Sequence, residues 1–255
     1  MIRLLFLLLI LSSLTSCKKN ENTLKVAATL VPHLVMLEEV KEDLSKQGIE
    51  LEIIAIEDYQ TPNRALSDCE IDANFFQHAP FLNSQISQFG YQIESAGKIH
   101  LEPMGAYSLK YKTIDNIPKN AKIAIPSDPS NAARALLLLK ANGVINFKES
   151  SMPNLMDYKE DCFEFIEVDA ALLPRTLEDV DLALIPTNYA LQANLNPEKD
   201  ALIIEDGNSP YANIVAVRKG DSERPDIILL IEALKSDKTK EFVADLFGPS
   251  VKILD

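Results

Sequence analysis

The chain has 255 residues, 47% of them hydrophobic and 25% charged, an ordinary balance for a globular protein. A length of this order holds one large domain or two lobes with cores of their own. The formal net charge of −13 argues against nucleic acid and against electrostatic adhesion to an anionic lipid surface.

Residues 1–17, MIRLLFLLLILSSLTSC, begin with a basic Arg3 and an apolar run. That run falls short of the about 20 residues a membrane-spanning helix needs and reads as a cleaved leader. Its end, Leu14-Thr15-Ser16-Cys17, resembles a bacterial lipobox, in which cleavage precedes the cysteine and the thiol carries a thioether-linked diacylglycerol. The mature chain is therefore expected to be tethered by lipid at Cys17 to a bacterial membrane, facing the periplasm or the exterior. Its own charge is no help in binding that membrane, so the anchor needs at least two acyl chains. No later stretch is long and apolar enough to span a membrane. Cys69 and Cys162 remain and are expected as separate buried thiols rather than as a bridge.

Residues 25–29 read as a strand. Pro32 suits the first turn of a helix, in which Leu34, Leu37, Val40 and Leu44 recur at helical spacing until Gly48. Residues 51–56 form a second strand, a short helix follows Pro62, and residues 71–76 form a third strand. Residues 80–89 are helical and stop at Gly90. This rhythm argues for a mostly parallel sheet with helices on both faces. It restarts with a strand at 122–125, a tight turn at 126–131 and a helix at 132–142 ended by Gly143. Strands follow at 163–168 and 182–185, a short helix at 189–193, and strand-like segments at 201–204 and 213–217. Helices at 226–235 and 238–247 finish the chain.

With only 8 glycines and no Gly/Ser-rich linker, any connection between lobes is expected to be short strand. The expected fold is α/β with two lobes, one from residues 24–106 plus 214–255 and the other from 107–213. Ligands of such folds lie at the carboxyl ends of strands, here in the cleft between lobes.

Two segments place aromatic and amide groups at such strand ends: Asp58-Tyr59-Gln60-Thr61-Pro62-Asn63 and Asn74-Phe75-Phe76-Gln77-His78-Ala79-Pro80. Strand neighbours point to opposite faces, so one of Phe75 and Phe76 belongs to the core. A third segment, Pro126 through Arg134, opens the long helix. Its start offers N–H groups and positive dipole to a carboxylate, and Arg134 can add a two-pronged contact. Taken alone, Arg134 equally fits a surface salt bridge. Asn213, in Ser209-Pro210-Tyr211-Ala212-Asn213, has a donor and an acceptor for a zwitterion. His33, His78 and His100 with Glu102 are a competing metal-ligand set, though no pair of the histidines has close ligand spacing. Against catalysis, the chain lacks Gly-x-Ser-x-Gly, His-Glu-x-x-His and a phosphate loop. Cys69 stands beside acids that disfavour its thiolate.

The series DYQTPNRAL, DANFFQHAPFL, KIHLEPMGAYS, IAIPSDPSNAARALLLL, LPRTLEDVDLALI and SPYAN resembles the NlpA-type lipoproteins, the methionine-binding components of amino-acid ABC importers. The resemblance spans about residues 24–255. It implies a two-lobed type II periplasmic-binding-protein fold, mixed and mostly parallel in its sheets, that closes on its ligand. It further implies a monomer without cofactor or resident metal, which delivers methionine or a related amino acid to a permease driven by an ATPase. By that resemblance Asn131 and Arg134 hold the ligand carboxylate and Asn213 its head, while Tyr59, Phe76, His78 and His100 surround the thioether. The family pattern also has a head-binding Asn where this chain has Pro186, which lacks both a side-chain donor and an N–H. Thr187 or Asn188 is left to substitute; otherwise the loss is about 1.5–3 kcal/mol, roughly 10- to 150-fold in affinity. The alternatives are a metal-binding import lipoprotein and a surface antigen or adhesin that keeps the fold without transport. Replacing Arg134 by Ala is expected to abolish binding and leave the fold intact.

Overall fold

Pairs of strands with a helix between them build most of the chain, and two short crossings join the two sheets that result. The computed structural model describes residues 22–159, 162–207 and 209–255; the leader and the lipidation expected at Cys17 lie outside the described residues. In chain order the first elements are β1 (Thr23–Thr29), α1 (Val35–Lys46), β2 (Glu50–Ile56), α2 (Thr61–Ser67), β3 (Ala73–His78), α3 (Ala79–Phe89) and β4 (Ile93–Leu101). Next come β5 (Gly105–Tyr107), β6 (Lys122–Pro126), α4 (Pro129–Ala141), β7 (Glu164–Val168), α5 (Leu173–Thr176), β8 (Leu182–Ile185), α6 (Thr187–Gln192), α7 (Pro197–Asp200) and β9 (Ala201–Ile204). The chain ends with β10 (Asn213–Arg218), α8 (Pro225–Leu234), α9 (Asp237–Phe247) and β11 (Lys252–Ile253).

The first sheet has the order β11-β4-β10-β3-β1-β2 and the second β7-β6-β8-β5-β9. Parallel pairing joins β1 to β2 and β3, and β6 to β7 and β8. The strands next to the crossings run the other way: β10 is antiparallel to β3 and β4, and β5 to β8 and β9. Both sheets are therefore mixed, and with four parallel and five antiparallel pairings among the described residues the expected predominance of parallel pairing is corrected. The expected boundaries shift slightly, because Gly105 and Ala106 already pair in the second sheet while Asn213 pairs in the first.

All six positions of β3 are buried, as befits a central strand. Phe75 packs into the core of the first sheet with Leu24, Met36 and Leu37. Helix α1 buries Met36, Leu37, Val40 and Leu44 and turns Glu38, Lys41 and Glu42 to solvent. Pro32 does not begin this helix. It lies in a wide turn over Leu30–Leu34, where Val31 is extended, as a residue before proline prefers. In the second lobe α4 lays Ala132, Ala135, Leu136 and Leu139 on Ile123 and Ile125 of β6. Cys69 is exposed and Cys162 half-buried, and no disulfide joins them; burial of Cys69 is thus corrected. Among the described residues, no helix is long and apolar enough to cross a membrane.

The crossings are residues 102–104, between β4 and β5, and 205–212, between β9 and β10. They are tied to each other, since Glu205 N–H donates to Met104 O at 2.9 Å and Met104 N–H to Glu205 Oε2 at 3.2 Å. Leu136 is fully buried in the core of the second lobe. Leu136→Ala should lower the unfolding free energy by about 2–5 kcal/mol, read as a fall in the denaturant midpoint at unchanged slope.

Candidate functional site

The strand ends of both sheets converge on a narrow cavity whose free space is about 20 Å³, room for little more than one water. Its wall contains Tyr59, Phe76, His78, Asn131, Arg134, Asn188 and Asn213 of the sequence-predicted set. Gln77, Phe81, Glu102, Pro186 and Thr187 complete it. His100 is fully buried and lies behind the wall rather than in it.

Arg134 projects from the first turns of α4 and is only 4% exposed. Its Nε donates to Glu205 Oε1 at 3.0 Å and Oε2 at 3.1 Å, and Nη2 donates to Glu205 Oε2 at 2.5 Å. Nη2 also donates to the main-chain oxygen of Glu102 at 2.7 Å. One guanidinium thus holds both crossings, and Nη1 takes no part in these bonds. Tyr211 covers its face, with the ring centroid 4.4 Å away, a cation–π contact. A surface salt bridge is excluded by this burial.

The start of α4 is not the open anion seat that its sequence implies. Asp128 caps it, accepting from Asn131 N–H at 2.9 Å and from Asn131 Nδ2 at 3.2 and 3.0 Å. The helix dipole is therefore already matched by a carboxylate of the chain itself. Asn131 Oδ1 in turn accepts from His78 Nε2 at 3.0 Å. His78 Nδ1 accepts from Phe81 N–H at 3.1 Å, which places the ring proton on Nε2.

Pro186 precedes α6 and contributes no side-chain cap. Of the two candidates to stand in for it, Thr187 is committed elsewhere, its hydroxyl donating to Pro103 O. Asn188 is not: Tyr59 OH donates to its Oδ1 at 2.6 Å, and its buried Nδ2 meets no partner among the described residues. The rings of Tyr59, Phe76 and Phe81 lie 5.6–5.8 Å apart pairwise between centroids, making one end of the cavity apolar.

Three of the four residues of the competing metal-ligand set do come together, with Glu102 in the wall and two histidines behind it. His33, remote in the chain, joins His100 and Glu102, two residues apart, and all three are buried with their ligand atoms within 4.8 Å of one another. His100 Nε2 lies 2.6 Å and His33 Nε2 3.2 Å from the same oxygen, Glu102 Oε1. Thr29 Oγ1 lies 2.7 Å from His33 Nδ1, and His33 Nε2 also reaches Asn213 Oδ1 at 3.3 Å. His78 stands apart from this group, on the cavity wall. A zinc ion bonded at about 2.0–2.1 Å would hold tetrahedral ligand atoms roughly 3.3 Å apart. The 2.6 Å separation is that of a hydrogen bond.

Burial sets the protonation of this region. It lowers His33 to about 4, with Glu102 opposing, and lowers His100 to about 3. It lowers His78 to about 3, reinforced by the Arg134 charge. Burial pushes the Glu102 carboxyl up, while His33, Arg134 and the Asn188 N–H pull it back.

Two sheets joined by paired crossings, with a half-polar, half-aromatic cavity between them, define a substrate-binding protein. The NlpA lipoprotein family description matches residues 24–252, and the chain belongs to that family. It is 35% identical over 244 residues to the D-methionine-binding lipoprotein MetQ of Escherichia coli, covering 92% of this chain and 90% of that one. It is 36% identical over 243 residues to the methionine-binding lipoprotein MetQ of Bacillus subtilis, covering 92% and 89%. Its fold superposes on a nutrient-binding protein from Burkholderia cenocepacia bound to methionine, with TM-score 0.87 and 42% identity over 91% of this chain and 100% of that one.

The three histidines give the molecule an acid-labile fold. Each has a folded pKa below its unfolded value near 6.5, so the unfolded chain binds protons first as pH falls. Their contribution is complete above pH 6.5 and declines as pH falls toward 4 for His33 and toward 3 for His78 and His100, by up to about 1.4 kcal/mol per pH unit per histidine. Glu102, raised, works in the opposite sense. Urea unfolding should show a lower midpoint at pH 5 than at pH 7.5; equal midpoints would contradict the neutral histidines.

Proposed function

We propose that this chain is the substrate-binding lipoprotein of an ABC importer, anchored through Cys17, which captures methionine or a closely related amino acid. The observation that carries the reading is the cavity's polarity. Arg134 stands on one wall, its charge set between two lobes, and Tyr59, Phe76 and Phe81 line the other end. An α-amino acid with a long, soft side chain matches both. Its carboxylate meets the guanidinium and the orphan Asn188 Nδ2, and its thioether lies among rings, where each sulfur–arene contact adds about 0.3–1.5 kcal/mol. The relatives named for methionine support the same ligand. Lobe closure dries the site and strengthens the ion pair. The closed monomer then docks on a permease driven by an ATPase.

Arg134→Ala is a poor test, contrary to its sequence-based expectation, because it strands Glu205 and the Glu102 carbonyl. Breaking a buried pair from one side costs about 3–5 kcal/mol of stability. Arg134→Lys keeps the charge and loses the fork. Calorimetric titration with methionine should show wild-type binding and at least a tenfold weaker Lys variant with a retained melting transition; unchanged affinity refutes the site.

The competing reading is a resident cation at His33, His100 and Glu102. Its short N···O contact speaks against it. Equilibrium dialysis with zinc should leave no stoichiometric, tightly held ion, and one that is held would displace the amino-acid reading.

A further inference from the structure

An amino acid brings two opposite charges into a site, and the wall residues divide unevenly between them. Donors are plentiful. Asn188 Nδ2 is buried without a partner, the Asn213 amide presents its NH2 because its oxygen faces His33, and Arg134 Nη1 takes no part in the bonds to Glu205 and Glu102. Acceptors are scarce. The amide oxygens of Asn131, Asn188 and Asn213 each already accept from His78, Tyr59 and His33 in turn. Gln77 Oε1 likewise accepts from Asn63 at 2.9 Å. A lone pair remains on each carbonyl, but none carries charge.

Among the residues lining the cavity one carboxylate is present, that of Glu102, 5% exposed. It is a built group rather than a stray acid. His33 and His100 both aim Nε2 at Oε1, the Asn188 N–H hydrogen-bonds to the carboxylate, and neither histidine touches Oε2. Its position also suits the task. Arg134 Nη2 binds the main-chain oxygen of Glu102 itself, so the cation and the carboxylate stand side by side. In an α-amino acid the ammonium and the carboxylate are likewise separated by one carbon.

We infer that Glu102 is the ammonium anchor of this cavity, taking the ligand's cationic amine while Arg134, Asn188 and Asn213 take its carboxylate. The inference rests on the amino-acid reading above. It adds that a free α-amino group is a condition of binding, and that His33 and His100 act through Glu102 as positioning residues.

The test pairs two ligands with two proteins. Methionine and 4-(methylthio)butanoate share a skeleton and differ in the amine. Calorimetric titration of the wild-type protein should favour methionine by roughly 10- to 150-fold, the range for a hydrogen bond to a charged group. In Glu102→Gln that preference should shrink to under threefold, through weaker methionine binding at unchanged butanoate affinity. Glu102→Asp, which keeps the charge, should retain part of the preference. A wild-type protein that binds both compounds equally overturns the assignment, whether or not any variant folds. So does a Gln variant that keeps the full preference or weakens both ligands alike. A wild-type protein that binds neither overturns the amino-acid reading as well.

Discussion

The pairing of Arg134 with Glu205 is the interaction on which the rest of the site depends. Two segments pass between the sheets, and the guanidinium binds both, through the Glu205 carboxylate and the Glu102 carbonyl. Burial makes this a demanding arrangement. A lone guanidinium that is 4% exposed would be costly, and so would an unpaired Glu205; together each offsets the desolvation of the other. The arrangement also fixes direction. With Nε and Nη2 engaged by the crossings and Tyr211 across the face, the guanidinium has a single orientation toward the cavity. Under the proposed function, a ligand carboxylate would meet a group that needs no reordering, so less entropy would be lost on binding.

Around that pair, short-range order extends across both lobes. Tyr59 reaches Asn188, Tyr189 OH donates to Glu57 O at 3.1 Å, and His78 reaches Asn131. Each bond links a loop or strand end of the first sheet to a helix of the second. The first and third also orient an amide or ring on the cavity wall. Packing and recognition therefore use the same atoms, and neutral histidines are what permit it. A protonated His78 would have no proton acceptor at Nδ1, where Phe81 N–H already points, and would stand near the Arg134 charge.

The parallel half of the fold was legible because its helices are amphipathic and its strands are flanked by Pro and Gly. Leu37, Val40 and Leu44 repeat along α1, and Gly90 ends α3 in the left-handed region. Strand β4 was not legible. Its residues, IESAGKIHL, show no clean alternation, and their place in the sheet comes from β10 and β11 on either side. Strand β5, three residues long, is too short for any period to show. The site divides the same way. Arg134, Asn131 and the aromatic strand ends stand in dense local motifs. Glu205 reads as ordinary charge in an acidic chain and Glu102 only as a candidate metal ligand with the histidines; tertiary burial reveals what they pair with. His100 carried the right chemistry for the wrong layer: one strand position decides whether a ring faces the cavity or its support.

Pro186 shows how such a site tolerates the loss of a side chain. Proline at the start of α6 is compatible with the local backbone and needs no N–H there, so the helix keeps its position. What it removes is a polar group at one point on the wall. Two residues on, Asn188 supplies an amide from the same helix start, its oxygen held by Tyr59 and its nitrogen left without a partner. A buried N–H without a partner costs about 1–3 kcal/mol, a cost that persists unless something in the cavity accepts from it. The departure from the family pattern thus moves the polar group rather than deleting it. Tyr59, from the opposite lobe, sets the orientation of that amide.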